Sequence, residues 1–320
     1  MTPVTVLVLG DRTDPRMQAL SPAPAGVRLV FGERPEDFGA DLDVAEVILS
    51  WWRGSAALDP ILACTPRLRW IHTSAAGLDH LVSPALAGSS AILTNSRGIY
   101  GDALAEYVLG AVLYFIKDLP RLRDAQTRRA WEPFESERLA GKTMAIVGYG
   151  DIGRAIAVRA RAFQVNVVAY RRRPELAAGD PHVTRVARDL HDAVADADFV
   201  VLAAPLTPET ERMFGAEAIG WMPPRAVFIN VGRGRLVDEP ALVAALQRGA
   251  LRGAALDVFE TEPLPPEHPL WTLPNVLLSP HAADRVTGWL DQTMQLFVDN
   301  LARFLTSEPL LNIVDPRRGY

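Results

Sequence analysis

The chain has 320 residues, of which 49% are hydrophobic, and a formal net charge of −5. That length accommodates two cores of ordinary size, and the apolar content excludes a disordered chain. A mildly acidic protein lacks the cationic surface that general nucleic-acid or anionic-membrane binding requires. Cys64 is the one cysteine, so an intramolecular disulfide and a cysteine metal cluster are both excluded. Set among apolar residues in ILACTPRLRW, Cys64 reads as small core filler.

TVLVLG, near the start, has no basic segment before it and no small-residue cleavage site, so it reads as a first strand rather than a signal peptide. No run of about 18 apolar residues occurs, so a membrane span is not expected, and a cytoplasmic location is. EVILSW, RWIHTSA and AILTN follow as strands. SWWRG lies at the end of the first of these three, which makes Trp51, Trp52 and Arg53 candidates to face a substrate pocket, with core or surface packing equally open. A helix is expected over Asp102 to Lys117, where Leu104, Val108, Ala111, Val112 and Phe115 form one apolar stripe widened by Leu109, Leu113 and Ile116. So broad a face fits a linking or interface helix, or an ordinary core helix.

MAIVG, VNVVAY, DFVVLAA, AVFINVG, GAALDV and VLLSPH then recur as strands, each with a turn signal and a helical pattern around it. Continuous apolar strands alternating with helices suit parallel sheets covered on both faces. The two series predict two Rossmann-like, doubly wound α/β domains. A last helix is expected from about Arg285 to Leu305, with Leu290, Phe297, Leu301 and Leu305 on one face. Asp238, before Glu239 and Pro240, is accounted for as a helix N-cap.

MAIVGYGDIGRAIAVRARAF reads as strand, glycine turn and helix. Gly148 permits the sharp turn, Gly150 lets the backbone approach a pyrophosphate, and Gly153 allows close helix-on-strand packing. The helix start, with Asp151 and Ile152, offers free N–H groups and a positive dipole to the phosphates. At the tip of the next strand, where an acidic residue would bind ribose hydroxyls, stand Arg171, Arg172 and Arg173. Arginine there pairs with a 2′-phosphate, so NADPH is expected over NADH; a solvated basic loop is the alternative.

GYGDIG, APLTPET, INVGRGRLVDEPAL, GAALDVFETEPLP and NVLLSPHAAD, taken in order, resemble the D-isomer-specific 2-hydroxyacid dehydrogenase family, and the likeness reaches back to SAAGLDHL and NSRGIYGDALAEYVLG. The resemblance implies a discontinuous, flavodoxin-like substrate domain (1–99 and 286–320), an inserted dinucleotide-binding domain (100–285), and an active site in the cleft. It implies a homodimer and a small 2-oxo or 2-hydroxy acid as substrate, with no metal. It places the chemical residues on Arg233, Glu262 and His281. Imidazole titrates near neutrality and can protonate the carbonyl oxygen, Glu262 can orient that ring, and Arg233 can hold the substrate carboxylate. From the residues alone, Arg233 and Arg235 are indistinguishable, and His281 could be an ordinary loop histidine.

The resemblance further implies that Pro205, Leu206 and Thr210 line the cofactor groove through backbone and hydroxyl groups. Val231 and Gly232 are expected beside them, with Asp257 contacting the nicotinamide carboxamide. Ala76 and Gly77 fall in the loop that holds the substrate carboxylate, with Trp51 as a further candidate. The leading expectation is an NADPH-preferring reductase of the glyoxylate/hydroxypyruvate type. Alternatives are an NAD-dependent D-2-hydroxyacid or 3-phosphoglycerate dehydrogenase, disfavoured by the arginines and by the absence of an appended regulatory domain. Formate dehydrogenase chemistry is disfavoured by Glu262. A non-catalytic dinucleotide sensor is a reading of another class.

Overall fold

The computed structural model describes residues 3–21 and 23–317. Packing divides the chain into two units, Met1–Ile99 with Thr287–Tyr320, and Tyr100–Val286.

In the first unit, β1 (Val4–Leu9), β2 (Val27–Gly32), β3 (Ala45–Ser50), β4 (Trp70–Thr73) and β5 (Ile92–Thr94) lie side by side in the order β2-β1-β3-β4-β5. All their pairings are parallel, and Ile313–Val314 adds an antiparallel edge beside β5. Strands of this kind bury both faces, so Val6 and Val8 point one way and Leu7 and Leu9 the other, all fully buried. The helix Trp289–Thr306 covers the Val6 and Val8 face with Met294, Phe297 and Leu301. Phe297 stacks on Trp70 with ring centroids 5.3 Å apart. Buried side chains of that size contribute roughly 1.5–3 kcal/mol each. His72, on β4, is fully buried; burial pushes its pKa down to about 3, and it stays neutral with Nδ1 2.8 Å from Thr94 Oγ1.

The second unit holds an all-parallel sheet of seven strands. These are β6 (Thr143–Val147), β7 (Asn166–Tyr170), β8 (Arg185–Val186), β9 (Phe199–Leu202), β10 (Val227–Asn230), β11 (Gly253–Leu256) and β12 (Val276–Leu278). Their order is β8-β7-β6-β9-β10-β11-β12. The order in which strands are added therefore reverses between β6 and β9, the place where an open α/β sheet leaves a crevice outside its strand ends. The helix Gly101–Ile116 buries Leu104, Val108, Ala111, Val112 and Phe115 as the stripe requires, and Leu109 and Ile116 as well.

Three details depart from the sequence reading. Cys64 is exposed: only Leu58 and Ile61 of the helix Ser55–Leu62 point inward, and Cys64 lies past its end. The last helix starts at Trp289 rather than Arg285, because Gly288 takes φ +80° and Arg285 closes a turn onto Ala282. β2, an edge strand with largely half-buried side chains, lacks the continuous apolar signal of its neighbours.

Candidate active site

The residues expected to carry the chemistry lie at strand ends of the second unit. β6 stops at Val147 because Gly148 adopts φ +95°, and a Cβ there would lie 2.4 Å from the Ala204 backbone nitrogen. Only glycine fits. At Gly153 a Cβ would come within 2.9 Å of the Gly148 oxygen, so this residue sets the close approach of the helix Asp151–Ala162 to its strand. A Cβ on Gly150, by contrast, meets nothing within 4 Å. The turn thus keeps open the space a pyrophosphate needs, over the free N–H groups at the start of a 12-residue helix beginning Asp151-Ile152. The residues fit a dinucleotide.

Arg171, at the end of β7, is half-buried, and burial together with Arg173 lowers its pKa from the ordinary guanidinium value. Arg172 and Arg173 are exposed. In the loop after β9, the Thr210 hydroxyl donates to the Pro205 carbonyl at 2.7 Å and accepts from the Thr207 N–H at 2.8 Å. Thr210 therefore shapes the loop with the hydroxyl that the sequence reading assigned to the cofactor.

After β10 the chain is pinned by buried Asn230, whose Oδ1 accepts from the Gly232 N–H (3.0 Å) and whose Nδ2 donates to the Arg233 carbonyl (3.0 Å). Val231 is buried and ties back to the Leu202 carbonyl. The loop separates the two arginines that sequence alone could not. Arg235 is exposed and paired with Glu211 at 2.6 Å, whereas Arg233 is half-buried, with Nη1 donating to the Gly232 carbonyl at 2.8 Å. Arg233 also sits close enough to His281 and Glu262 to influence the titration of both.

His281 Nδ1 lies 2.7 Å from Glu262 Oε2, and Glu262 Oε1 accepts from the Phe259 N–H at 3.0 Å. The hydrogen bond to Glu262 raises the His281 pKa above its usual value, with burial and Arg233 opposing and Asp257 assisting. Burial pushes the Glu262 carboxyl upward, but its bonds from His281 and Phe259 outweigh this and hold its pKa low. The pair is therefore a carboxylate bonded to an imidazole that retains its proton at higher pH than a free one.

The His281 backbone takes φ +52°, a conformation few non-glycine residues adopt. Asp257, only 2% exposed, holds it there: its Oδ1 accepts from Ser279 Oγ (2.6 Å), Ala282 N–H (2.9 Å) and Ala283 N–H (3.1 Å). The Asp257 carbonyl accepts from the His281 N–H at 2.9 Å. Asp257, expected as a nicotinamide contact, anchors the histidine loop.

In the first unit, Trp51 is a core residue, 4% exposed, with Nε1 donating to Asp14 Oδ2 at 3.0 Å. The exposed ring is Trp52, which has φ +57° and packs edge-on against Trp289. Consecutive residues diverge here because the chain turns at the end of β3. Ala76 and Gly77 are half-buried in the loop after β4, where Asn95 Nδ2 donates to the Ala76 carbonyl at 2.6 Å.

Residues 109–283 match the family model of the D-isomer specific 2-hydroxyacid dehydrogenase NAD-binding domain. The chain belongs to this family. It is accordingly an NAD(P)-dependent oxidoreductase with two parallel-sheet α/β domains. A glyoxylate reductase of Thermofilum pendens is 35% identical over 256 residues, covering 78% of this chain and 75% of the relative. The glyoxylate/hydroxypyruvate reductase B of Escherichia fergusonii is 34% identical over 265 residues, covering 81% of this chain and 82% of the relative. Among solved structures, an NADPH-dependent glyoxylate/hydroxypyruvate reductase from Sinorhizobium meliloti, in complex with NADP and sulfate, superposes with TM-score 0.85 at 26% identity, covering 100% of both chains.

The supports of the family site leave no pattern in the sequence. Asn230, Gly234 and Ser279 touch its loops directly, yet each is a common loop residue with no local signal of its role. Glu239 was visible only as the neighbour of a helix cap.

Proposed function

We propose that the protein reduces a small 2-oxo acid of the glyoxylate/hydroxypyruvate type to its D-2-hydroxy acid, drawing on NADPH. The observation that carries this reading is the His281–Glu262 pair at 2.7 Å with Arg233 beside it, on strand ends that also bear the glycine turn. A bound nicotinamide supplies the hydride to the carbonyl carbon. Because His281 Nδ1 is engaged by Glu262, Nε2 is the ring nitrogen that gives its proton to the carbonyl oxygen. Glu262 stabilises the imidazolium before transfer, and Arg233 binds the substrate carboxylate and draws charge toward the developing alkoxide.

Arg171, with Arg172, is proposed to select NADPH by pairing with the 2′-phosphate, which fits a half-buried guanidinium at the end of β7. Gly148, Gly150, Asp151, Ile152 and Gly153 would hold the pyrophosphate, with Pro205, Val231, Gly232 and Asp257 along the rest of the cofactor. Residues 1–99 and 286–320 are read as the substrate domain and 100–285 as the cofactor domain, with Ala76 and Gly77 contributing to carboxylate binding. A cytoplasmic homodimer completes the proposal.

The test is a kinetic matrix of 2-oxo acids against both cofactors. It is expected to give turnover of glyoxylate or hydroxypyruvate with kcat/KM favouring NADPH at least about tenfold, the effect of one charge-assisted hydrogen bond. No turnover of any 2-oxo acid, alongside tight NADPH binding, would favour a sensor instead.

A further inference from the structure

Glu262 does not stand on a rigid element. It lies in the irregular segment between β11 and the short helix Pro269–Thr272, and its alignment with the His281 ring depends on how that segment is held. Besides the Arg212–Glu260 ion pair, two buried contacts from elsewhere hold it. The Phe259–Glu260 peptide lies directly on Gly234, where a Cβ would come within 1.8 Å of the Phe259 carbonyl carbon and 2.3 Å of the Glu260 nitrogen. Glu239, only 8% exposed, accepts the Glu260 N–H on Oε2 at 3.1 Å. Its other oxygen, Oε1, lies 3.2 Å from His268 Nε2.

His268 settles its own tautomer. Its Nδ1 accepts from the Leu270 N–H, capping the short helix Pro269–Thr272, so Nε2 carries the hydrogen and donates to Glu239. Each Glu239 oxygen thus has one dedicated donor. A buried carboxylate at the first residue of the helix Glu239–Gln247 is further favoured by the helix dipole. Among the described residues Glu239 bonds to neither Glu262 nor His281, and its link to the site is the Glu260 backbone N–H.

We propose that Glu239, aligned by His268, is a positioning residue that holds Glu262 in line with His281 and so fixes the proton donor. The inference rests on reading His281–Glu262 as the acid–base pair. A loose Glu262 would weaken the bond that keeps the imidazole protonated, leaving Arg233 to oppose protonation, with Asp257 and Asp284 as the other ionisable groups facing the ring. Around Glu239 itself stand the His268 ring and the charged Glu260–Arg212 pair, 2.9 Å apart.

The experiment is an NMR titration of His281 in the full chain labelled with 13C-histidine, beside kcat and NADPH affinity. Glu239→Ala is expected to lower the His281 pKa by roughly one unit and kcat by about tenfold, with NADPH affinity unchanged. Glu239→Gln keeps an acceptor for the Glu260 N–H and should restore most of both. His268→Ala should move the pKa in the same direction by less, and it carries the test if Glu239→Ala does not fold. A wild-type His281 titration in these variants, with NADPH binding intact, overturns the inference. The titration needs no turnover, so a failure of the reductase reading in the kinetic matrix is seen separately.

Discussion

Two loops at the strand ends of the second unit are built by opposite means. The turn after β6 is shaped by absence: Gly148 and Gly153 leave gaps that backbone atoms fill to within 2.4 and 2.9 Å of a hypothetical Cβ. The loop after β12 is shaped by presence, with one oxygen of the buried Asp257 carboxylate gathering three donors and holding His281 at φ +52°. The first loop must be smooth and close to receive a large anion, so any added atom harms it. The second must aim one ring, so the removal of its anchor harms it.

That contrast can be broken at either end. Gly148→Ala puts a methyl against the Ala204 backbone in a conformation alanine avoids, and should weaken NADPH binding about a hundredfold, equivalent to the upper range of ~3 kcal/mol for overpacking. Fluorescence titration of the purified variant measures it, and near-normal affinity would mean the turn relaxes freely. Asp257→Ala strands the Ser279, Ala282 and Ala283 donors and frees the His281 backbone. Here kcat should fall roughly ten- to a hundredfold while cofactor affinity changes far less. An equal loss in both would make Asp257 chiefly a cofactor contact.

The end of β7 follows neither plan, since it offers charge rather than shape. Arg171→Asp should therefore leave the turn intact and shift kcat/KM by about tenfold toward NADH, a change on the scale of one charge-assisted hydrogen bond. Unchanged preference would assign the arginines to solvent.

Most of the architecture was readable from the chain because strands buried on both faces are continuous apolar runs, and β1, β3, β6 and β9 to β11 stand out as such. β2 did not, because an edge strand needs only partial burial. The glycine turn was readable for a similar reason, since its function is written in missing side chains at fixed spacing. The supports of the site were not. Glu239 meets His268 and Glu260 only after the chain folds back across more than twenty residues, and no local pattern records that meeting. Trp51 and Trp52 show the same limit at shorter range, since one backbone turn sends the first inward to Asp14 and the second outward to Trp289.

His281, held by Glu262, is proposed to give the proton that accompanies hydride transfer. The most direct test is single-turnover reduction of glyoxylate by NADPH in wild-type and His281→Ala protein, followed across pH. A raised His281 pKa means that wild-type reduction is fast below that pKa and declines as pH rises through it, above the usual imidazole value of about 6.5. His281→Ala should be slower by roughly a hundredfold or more and should lack that decline. A variant that keeps both the wild-type rate and the wild-type decline would contradict the account.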